Sequence, residues 1–146
     1  MRNKRYQESL DDKILTADPV RLVQMLYRGA VDSITTARRY LKLGDIRARS
    51  CAISKAMAIV TELSLSLDHT TGGDLSKNLA ELYAYAEKLL IQANREQSDP
   101  PLAEAERLLS TLLEAWESCI AANKPAETNG TSAEDGTAYR PVSCAY

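Results

Sequence analysis

The run from Asp18 to Leu41 combines a helix start with one apolar stripe, and it restricts the fold more than any other segment. Asp18 can accept hydrogen bonds from the first backbone N–H groups of a helix, and Pro19 follows where a missing N–H costs nothing. At about 100° per residue, six side chains then share one face: Val23, Leu26, Ala30, Ile34, Ala37 and Leu41. The pattern predicts a long amphipathic helix packed against other helices.

Residues that begin or end helices divide the middle of the chain into four helical segments. Glycine suits the left-handed position after a helix, whereas aspartate and proline suit the first turn of the next one. The first predicted helix runs from about Pro19 to Leu43 and stops before Gly44, and the second runs from Asp45 to about Leu67. The third is predicted to start at Asp74, after the break at Gly72 and Gly73, and Pro100 and Pro101 open the fourth.

The three later segments also carry apolar stripes, and short connections between them favour antiparallel neighbours. The chain has no Phe, six Gly and five Pro, which agrees with a helical domain. We therefore predict an all-α, up-down-up-down four-helix bundle, with Trp116 near one end of the core. The other predicted core residues of the bundle form one stripe on each later helix. They are Ala48, Ala52, Ala56, Ile59, Leu63 and Leu67 on the second; Leu75, Leu79, Leu82, Ala86, Leu89, Leu90 and Ala93 on the third; and Leu102, Ala105, Leu109, Leu112, Leu113 and Ile120 on the fourth.

The two ends differ from this predicted bundle of residues 18–123. In residues 1–17, Tyr6, Leu10 and Ile14 recur every four residues, which gives an amphipathic segment too short to form a stable isolated helix. Residues 124–146 are dominated by Gly, Ser, Thr, Pro and Asn without any period, so they are predicted to be a disordered tail. The N-terminal segment is expected either to pack against an apolar surface or to stay mobile.

A second apolar strip on the first helix offers such a surface: Leu22, Met25, Gly29 and Tyr40 lie beside the core stripe. A helix buried against a single core does not need this strip, whereas a helix that also holds a peptide does. We predict that the strip binds a partner. A second copy of the chain could use the same strip, so a homodimer remains an alternative.

Small and apolar residues also lie outside the core stripes of the second and third helices. Ala58 and Leu65 share one side of the second helix, with Cys51 near them, and Ala80, Ala84 and Ile91 share one side of the third. If these strips face each other they line a shallow groove, but scattered surface alanines are also ordinary in helices. Both interpretations stay open.

Several classes of function lack support in the sequence. A net charge of −2 gives no electrostatic basis for nucleic-acid binding, and no apolar run reaches the ~20 residues of a membrane span. The N-terminus has no signal-peptide core, so we expect a cytosolic protein. Cys51, Cys119 and Cys144 are an odd number and have no metal-ligand spacing, so they are predicted to be free thiols and no metal is expected. No cofactor is expected either.

No catalytic constellation can be assembled, because His69 is the only histidine. A phosphotransfer bundle would place its histidine in the middle of a helix, whereas His69 is predicted to end the second helix, just before Thr70, Thr71 and the glycines. The chain is therefore not expected to be an enzyme. A binding protein is the remaining class.

One series of residues, in order and spacing, is more specific than any of its parts. It contains Leu15-Thr16-Ala17-Asp18-Pro19, Leu22 to Tyr27 with Gly29-Ala30, Glu62-Leu63, Ser66-Leu67-Asp68, Gly72-Gly73-Asp74, Asn78-Leu79, Leu82-Tyr83-Ala84-Tyr85, Leu89-Leu90, Ala93-Asn94 and Ala115-Trp116. Over residues 6 to 117, the chain resembles the FliS family of flagellar secretion chaperones.

The resemblance implies a helical bundle that binds the C-terminal segment of flagellin in the bacterial cytosol. Family members prevent premature polymerisation and deliver flagellin to the flagellar type III export apparatus. In the family, the N-terminal segment can cover part of the binding surface, a role that Tyr6, Leu10 and Ile14 fit here. Arg28 stands where family members often carry an acidic residue, and the tail has no family counterpart. A helical adaptor for another partner is the alternative function.

Overall fold

The computed structural model of the chain describes residues 18–123, and the predictions for residues 1–17 and 124–146 lie outside this range. Its four α-helices are α1 (Pro19–Leu43), α2 (Ile46–Leu65), α3 (His69–Glu96) and α4 (Asp99–Asn123). The described range contains no β-strand. The predicted all-α fold class is confirmed.

The first helix begins and ends at the residues predicted for it. Asp18 Oδ1 accepts a 2.8 Å hydrogen bond from the backbone N–H of Arg21, and Pro19 occupies the first helical position. At the other end Gly44 adopts a φ of 75°, a left-handed conformation that costs glycine little. Asp45 then caps α2 by accepting a 3.0 Å bond from the N–H of Ala48.

The boundary between α2 and α3 differs from the prediction. The second helix ends at Leu65 rather than Leu67, and the third begins at His69 rather than Asp74. Asp68 is the N-cap, because its carboxylate accepts hydrogen bonds from the backbone N–H groups of Thr70 and Thr71. His69, predicted to end the second helix, instead opens the third, and its Nδ1 lies 2.9 Å from Ser76 Oγ.

Gly73 explains how this earlier start is compatible with a break in the helix. Its φ of 54° and ψ of −129° are not helical, so α3 has a kink after its first turn. Only glycine adopts such angles readily, and the chain resumes the helix beyond it. The predicted break therefore exists, but it lies inside α3 rather than before it.

Polar contacts show that α4 is antiparallel to α1 and that α3 is antiparallel to α2. On α1, Gln24 contacts Glu117, whereas Arg38, farther along α1, contacts Asp99 at the start of α4. Between α2 and α3, Ser50 pairs with Asn94 and Thr61 with Glu87. Each helix packs against two neighbours, with α1 and α3 on opposite corners, and the contact between α1 and α2 is the most extensive.

The core follows the predicted stripes, with additions and one exception. Tyr27, Ile53, Val60 and Tyr83 are buried although no predicted stripe contains them. Leu75, predicted as core, is 39% exposed, because it lies just after the kink at Gly73. Seven predicted core residues are only partly buried and pack against the outside of the core: Leu26, Leu41, Ile59, Leu82, Leu112, Leu113 and Ile120. Ala48, also predicted as core, is half-buried and does not belong to the core cluster.

Candidate partner-binding surface

The predicted strip of α1 lies along the edge of this helix that faces α2. A Cβ atom placed on Gly29 would lie 3.3 Å from Ile59 Cδ1, so glycine allows α2 to approach closely here. Met25 is 40% exposed, whereas Leu22, Gly29 and Tyr40 are half-buried. The Arg39 guanidinium lies 5.4 Å from the centre of the Tyr40 ring.

Two of these four residues line a groove of about 440 Å³ between α1 and α2, which we call the α1/α2 groove. Small residues from both helices lie along it, and the exposed Asp32 and Lys55 place one charge of each sign beside them. Met25 and Leu22 extend the same edge of α1 beyond Gly29, by about one and two helical turns respectively. The lining residues are Gly29, Asp32, Ser33, Thr36, Tyr40, Ala48, Cys51, Ala52 and Lys55.

Seven residues of this lining were not predicted as binding residues, because they lie outside the apolar strip of α1. Asp32, Ser33, Thr36 and Lys55 are polar, and Ala48 and Ala52 had been predicted as core. One signal was present in the sequence. Gly29 and Ser33, like Ala48 and Ala52, are small residues four positions apart, a spacing that places them on one face of a helix.

The predicted strips on α2 and α3 lie on either side of the contact between these helices. Leu65 is 73% and Ile91 is 52% exposed, Ala58 and Ala84 are exposed, and Ala80 packs partly against the core. Hydrogen bonds from Thr61 to Glu87 and from Ser50 to Asn94 cross between the two helices. Cys51, predicted near Ala58, lines the α1/α2 groove instead.

A second, smaller cavity of about 240 Å³ lies between α3 and α4, and we call it the α3/α4 cavity. Most of its lining side chains are apolar. Trp116 Nε1 donates a 3.0 Å hydrogen bond to the carbonyl oxygen of Val20, as expected for a tryptophan near the end of the core. The lining residues are Tyr27, Leu75, Leu79, Leu112, Ala115, Trp116 and Cys119.

The contact between α1 and α4 is polar at its surface. Arg28 lies 2.6 Å from Glu117, and Arg38 donates bonds of 2.8 and 2.9 Å to Asp99 and one of 3.2 Å to Glu106. Hydrogen bonds from Arg28 and Gln24 lower the pKa of Glu117, and the bonds from Arg38 lower that of Asp99. Arg28, which stands where members of the family often carry an acidic residue, thus forms an ion pair with Glu117 within the bundle.

The described residues offer no arrangement for metal chemistry. Between residues 18 and 123, no group of three or more His, Cys, Asp or Glu residues could hold a metal ion.

Within the same range, no helix combines the length and the apolar character needed to cross a membrane. The predicted binding residues Tyr6, Leu10 and Ile14 lie outside the described residues.

Comparison with known proteins identifies the family of the chain. Residues 1–124 match the family described as flagellar protein FliS. The flagellar secretion chaperone FliS of Salmonella typhimurium is 39% identical over 111 residues, which cover 75% of this chain and 82% of that protein. The chaperone FliSB of Pseudomonas aeruginosa is 32% identical over 115 residues, covering 78% and 91%. The chain therefore belongs to the FliS family of flagellar secretion chaperones.

Proposed function

We propose that the protein binds the C-terminal segment of flagellin in the bacterial cytosol, prevents its premature polymerisation and delivers it to the flagellar type III secretion apparatus. Family membership makes flagellin the first candidate among helical partners. The observation that carries the proposal is the α1/α2 groove, with the apolar edge of Leu22, Met25 and Tyr40 beside it.

The shape of the groove suits a partner helix. Small residues such as Gly29, Ser33 and Ala52 allow a second backbone to approach closely, and Met25 has a flexible side chain that adapts to different shapes. A segment that folds on binding loses conformational entropy, at a cost of several kcal/mol. It therefore needs a long apolar surface, with anchors spaced three and four residues apart.

A second stretch of the same partner would use the exposed strips beside the contact between α2 and α3. Ala58 and Leu65 on α2, and Ala80, Ala84 and Ile91 on α3, offer small and apolar side chains. A segment that crosses α2 from the α1/α2 groove would reach these residues. Binding at both places would distribute the contact over three helices.

The N-terminal segment is proposed to compete for this surface. Tyr6, Leu10 and Ile14 would cover the apolar edge of α1 until flagellin takes their place, which lowers the hazard of an exposed apolar patch. Such a cap weakens the apparent affinity by the fraction of molecules in which it is closed. A Tyr6→Ser/Leu10→Ser variant should bind a flagellin peptide more tightly than the unchanged chain, and unchanged or weaker binding would remove the cap from this account.

The decisive experiment is a titration of the full chain with a synthetic C-terminal flagellin peptide, followed by NMR shift mapping. We expect shifts at Leu22, Met25 and Gly29 and along the lining of the α1/α2 groove. Met25→Ser should weaken binding roughly tenfold, the effect expected for one well-buried apolar anchor. Tyr85→Ser is the matched control, because Tyr85 is 44% exposed on α3, diagonally opposite α1.

The same titration separates the alternatives. If the peptide does not bind while another amphipathic helix does, the protein is a helical adaptor for that partner. If Met25→Ser changes the sedimentation of the chain alone, the apolar edge of α1 joins two copies of the protein. Either result would contradict the assignment of this surface to flagellin.

A further inference from the structure

The turn at Gly44 exposes two large apolar side chains at one end of the bundle. Leu43 is the last residue of α1 and is 70% exposed, and Ile46 is the first residue of α2 and is 55% exposed. Neither belongs to the core cluster, and neither lines the α1/α2 groove. The bundle itself therefore leaves this apolar pair uncovered, next to the point where the chain reverses direction.

The surrounding part of the bundle is basic. We call it the Gly44 end: it contains residues 38–51 and 91–104, and hydrogen bonds join α1 to α4 and α2 to α3 at this level. It has six basic and four acidic residues. The opposite end, formed by residues 18–24, 60–74 and 118–123, has one basic and four acidic residues. The chain thus combines a basic end with an acidic end, although its net charge is only −2.

Most of the basic side chains at the Gly44 end have no carboxylate partner. Arg38 is paired, with Asp99 and Glu106. Four other basic side chains are exposed, and none of them forms an ion pair with any residue between 18 and 123. They are Arg39, Lys42, Arg47 and Arg95. Their charges are therefore available to an anionic surface.

Arg49 adds a further charge that the bundle does not neutralise. Its side chain is only 4% exposed, and its Nε is buried without a hydrogen-bond partner in the described part of the chain. Buried arginines are normally paired, because removing an unpaired charge from water is costly. In α2 the Cα–Cβ bonds tilt toward the helix N-terminus, which is the side of Gly44. An anion bound at the Gly44 end would offset this charge.

We propose that the Gly44 end docks on an anionic lipid surface. Leu43 and Ile46 enter the boundary between head groups and acyl chains, and the exposed basic side chains around them contact lipid phosphates. Apolar side chains surrounded by Lys and Arg are typical of surfaces that bind at a membrane without crossing it. The acidic opposite end is repelled by the same lipids, so the charge distribution also orients the bundle.

A protein partner suits this surface less well than a bilayer does. Binding between proteins depends on anchors that fill well-packed pockets, whereas Leu43 and Ile46 protrude beside a turn. Lipid head groups need no pocket, because they rearrange around protruding side chains. The proposal does not rest on flagellin binding, since Leu22, Met25 and Gly29 lie outside the Gly44 end.

The test is co-sedimentation of the full chain with lipid vesicles. One set of vesicles contains phosphatidylcholine alone, and the other contains equal amounts of phosphatidylcholine and phosphatidylglycerol. At about 0.1 M salt we expect binding to the second set and little to the first, because each basic residue near an anionic bilayer strengthens binding roughly fivefold. Raising the salt to about 1 M should release the protein, because the Debye length falls to about 3 Å.

Two double variants locate the contact. Lys42→Gln/Arg47→Gln should weaken binding to the anionic vesicles roughly twentyfold. Leu43→Ser/Ile46→Ser should weaken it roughly tenfold, because two apolar side chains no longer insert. The altered residues are exposed, so an unchanged helical signal in circular dichroism is expected for both variants.

Matched controls make the same chemical changes in the other half of the bundle. Arg21→Gln/Lys77→Gln removes the same charge, and Val20→Ser/Leu75→Ser removes exposed apolar side chains. Both controls should bind the anionic vesicles as the unchanged chain does. Equal losses in a variant and its control would overturn the proposal, because attraction would then depend on overall charge or hydrophobicity.

Four further results would also overturn it: no binding to vesicles, equal binding to the two sets, binding that resists high salt, or unchanged binding in either Gly44-end variant. Binding to a poly-glutamate peptide but not to anionic vesicles would assign the basic side chains to an acidic protein instead. Such a failure would leave the proposed function intact, because flagellin binding is measured separately by peptide titration and mapped to Leu22, Met25 and Gly29.

Discussion

The hydroxyl groups of Tyr27 and Tyr83 form a hydrogen bond with each other in the interior of the bundle. Tyr27 belongs to α1 and Tyr83 to α3, the two helices on opposite corners, and both side chains are at most 2% exposed. Their ring centres are 6.3 Å apart. A polar contact in this position fixes the register between two helices that otherwise share few contacts, because a shift would leave a buried hydroxyl without its partner.

Replacing one member of this pair should cost more than replacing both. Tyr27→Phe leaves the Tyr83 hydroxyl buried without this partner, and the free energy of unfolding should fall by about 1–3 kcal/mol. The double variant Tyr27→Phe/Tyr83→Phe removes both polar groups and should recover part of this loss. Urea unfolding followed by circular dichroism measures both values. Additive losses in the double variant would contradict a coupled pair.

Sequence patterns located the helices well where side chains act on their own backbone. Asp18, Pro19 and Gly44 set the bounds of α1 through local hydrogen bonds and φ angles, which can be read from residue types alone. The start of α3 could not be read in this way, because Asp68 and Asp74 are both suitable caps. The choice depends on Thr70 and Thr71, which bind Asp68, and on a kink at Gly73 that lets the helix continue.

The candidate surface was less predictable, because a groove depends on the distance between two helices. A helical wheel places Gly29 and Tyr40 beside the core stripe but does not show which neighbouring helix they face. Likewise, no predicted stripe contains Tyr27 or Tyr83, and the hydrogen bond between their hydroxyl groups exists only once the helices are packed. Contacts between helices require the packed structure, whereas helix ends and core stripes do not.

Substitutions at Gly29 should separate stability from partner binding. Gly29→Ala gains helix propensity, and the new Cβ meets only the tip of the Ile59 side chain at 3.3 Å, which can rotate away. We expect the variant to be more stable by about 0.5 kcal/mol. Gly29→Leu should instead fill the α1/α2 groove and weaken binding of a flagellin peptide at least as much as Met25→Ser. Thermal unfolding and peptide titration measure the two effects, and full binding by Gly29→Leu would exclude this groove as the site.

The contact of Arg38 with Asp99 predicts a pH dependence of stability. Hydrogen bonds from Arg38 lower the pKa of Asp99 in the folded protein. A carboxylate with a lowered pKa stabilises the fold above its unfolded pKa of about 3.9, and this contribution is lost as the pH falls through the folded value. Arg38→Met should therefore cost about 1 kcal/mol at neutral pH, a small effect because these side chains are partly exposed.

The difference between Arg38→Met and the unchanged chain should shrink as the pH falls from roughly 5 to 2. Urea unfolding at a series of pH values measures it. Arg39→Met is the control, because the Arg39 guanidinium lies over the Tyr40 ring instead of a carboxylate. A constant difference over this pH range would show that Asp99 does not depend on Arg38 for its ionisation.

The two adjacent glycines of α3 should respond differently to the same substitution. Gly73 has a φ of 54°, whereas the φ of Gly72 is not positive. Gly73→Ala places a side chain where L-residues are strained, at a cost of about 1–3 kcal/mol in the free energy of unfolding. Gly72→Ala should be close to neutral, because alanine accepts negative φ angles and favours helix. Chemical unfolding of both variants measures the difference, and equal losses would show that the kink at Gly73 is not needed for the chain to pass from Asp68 into α3.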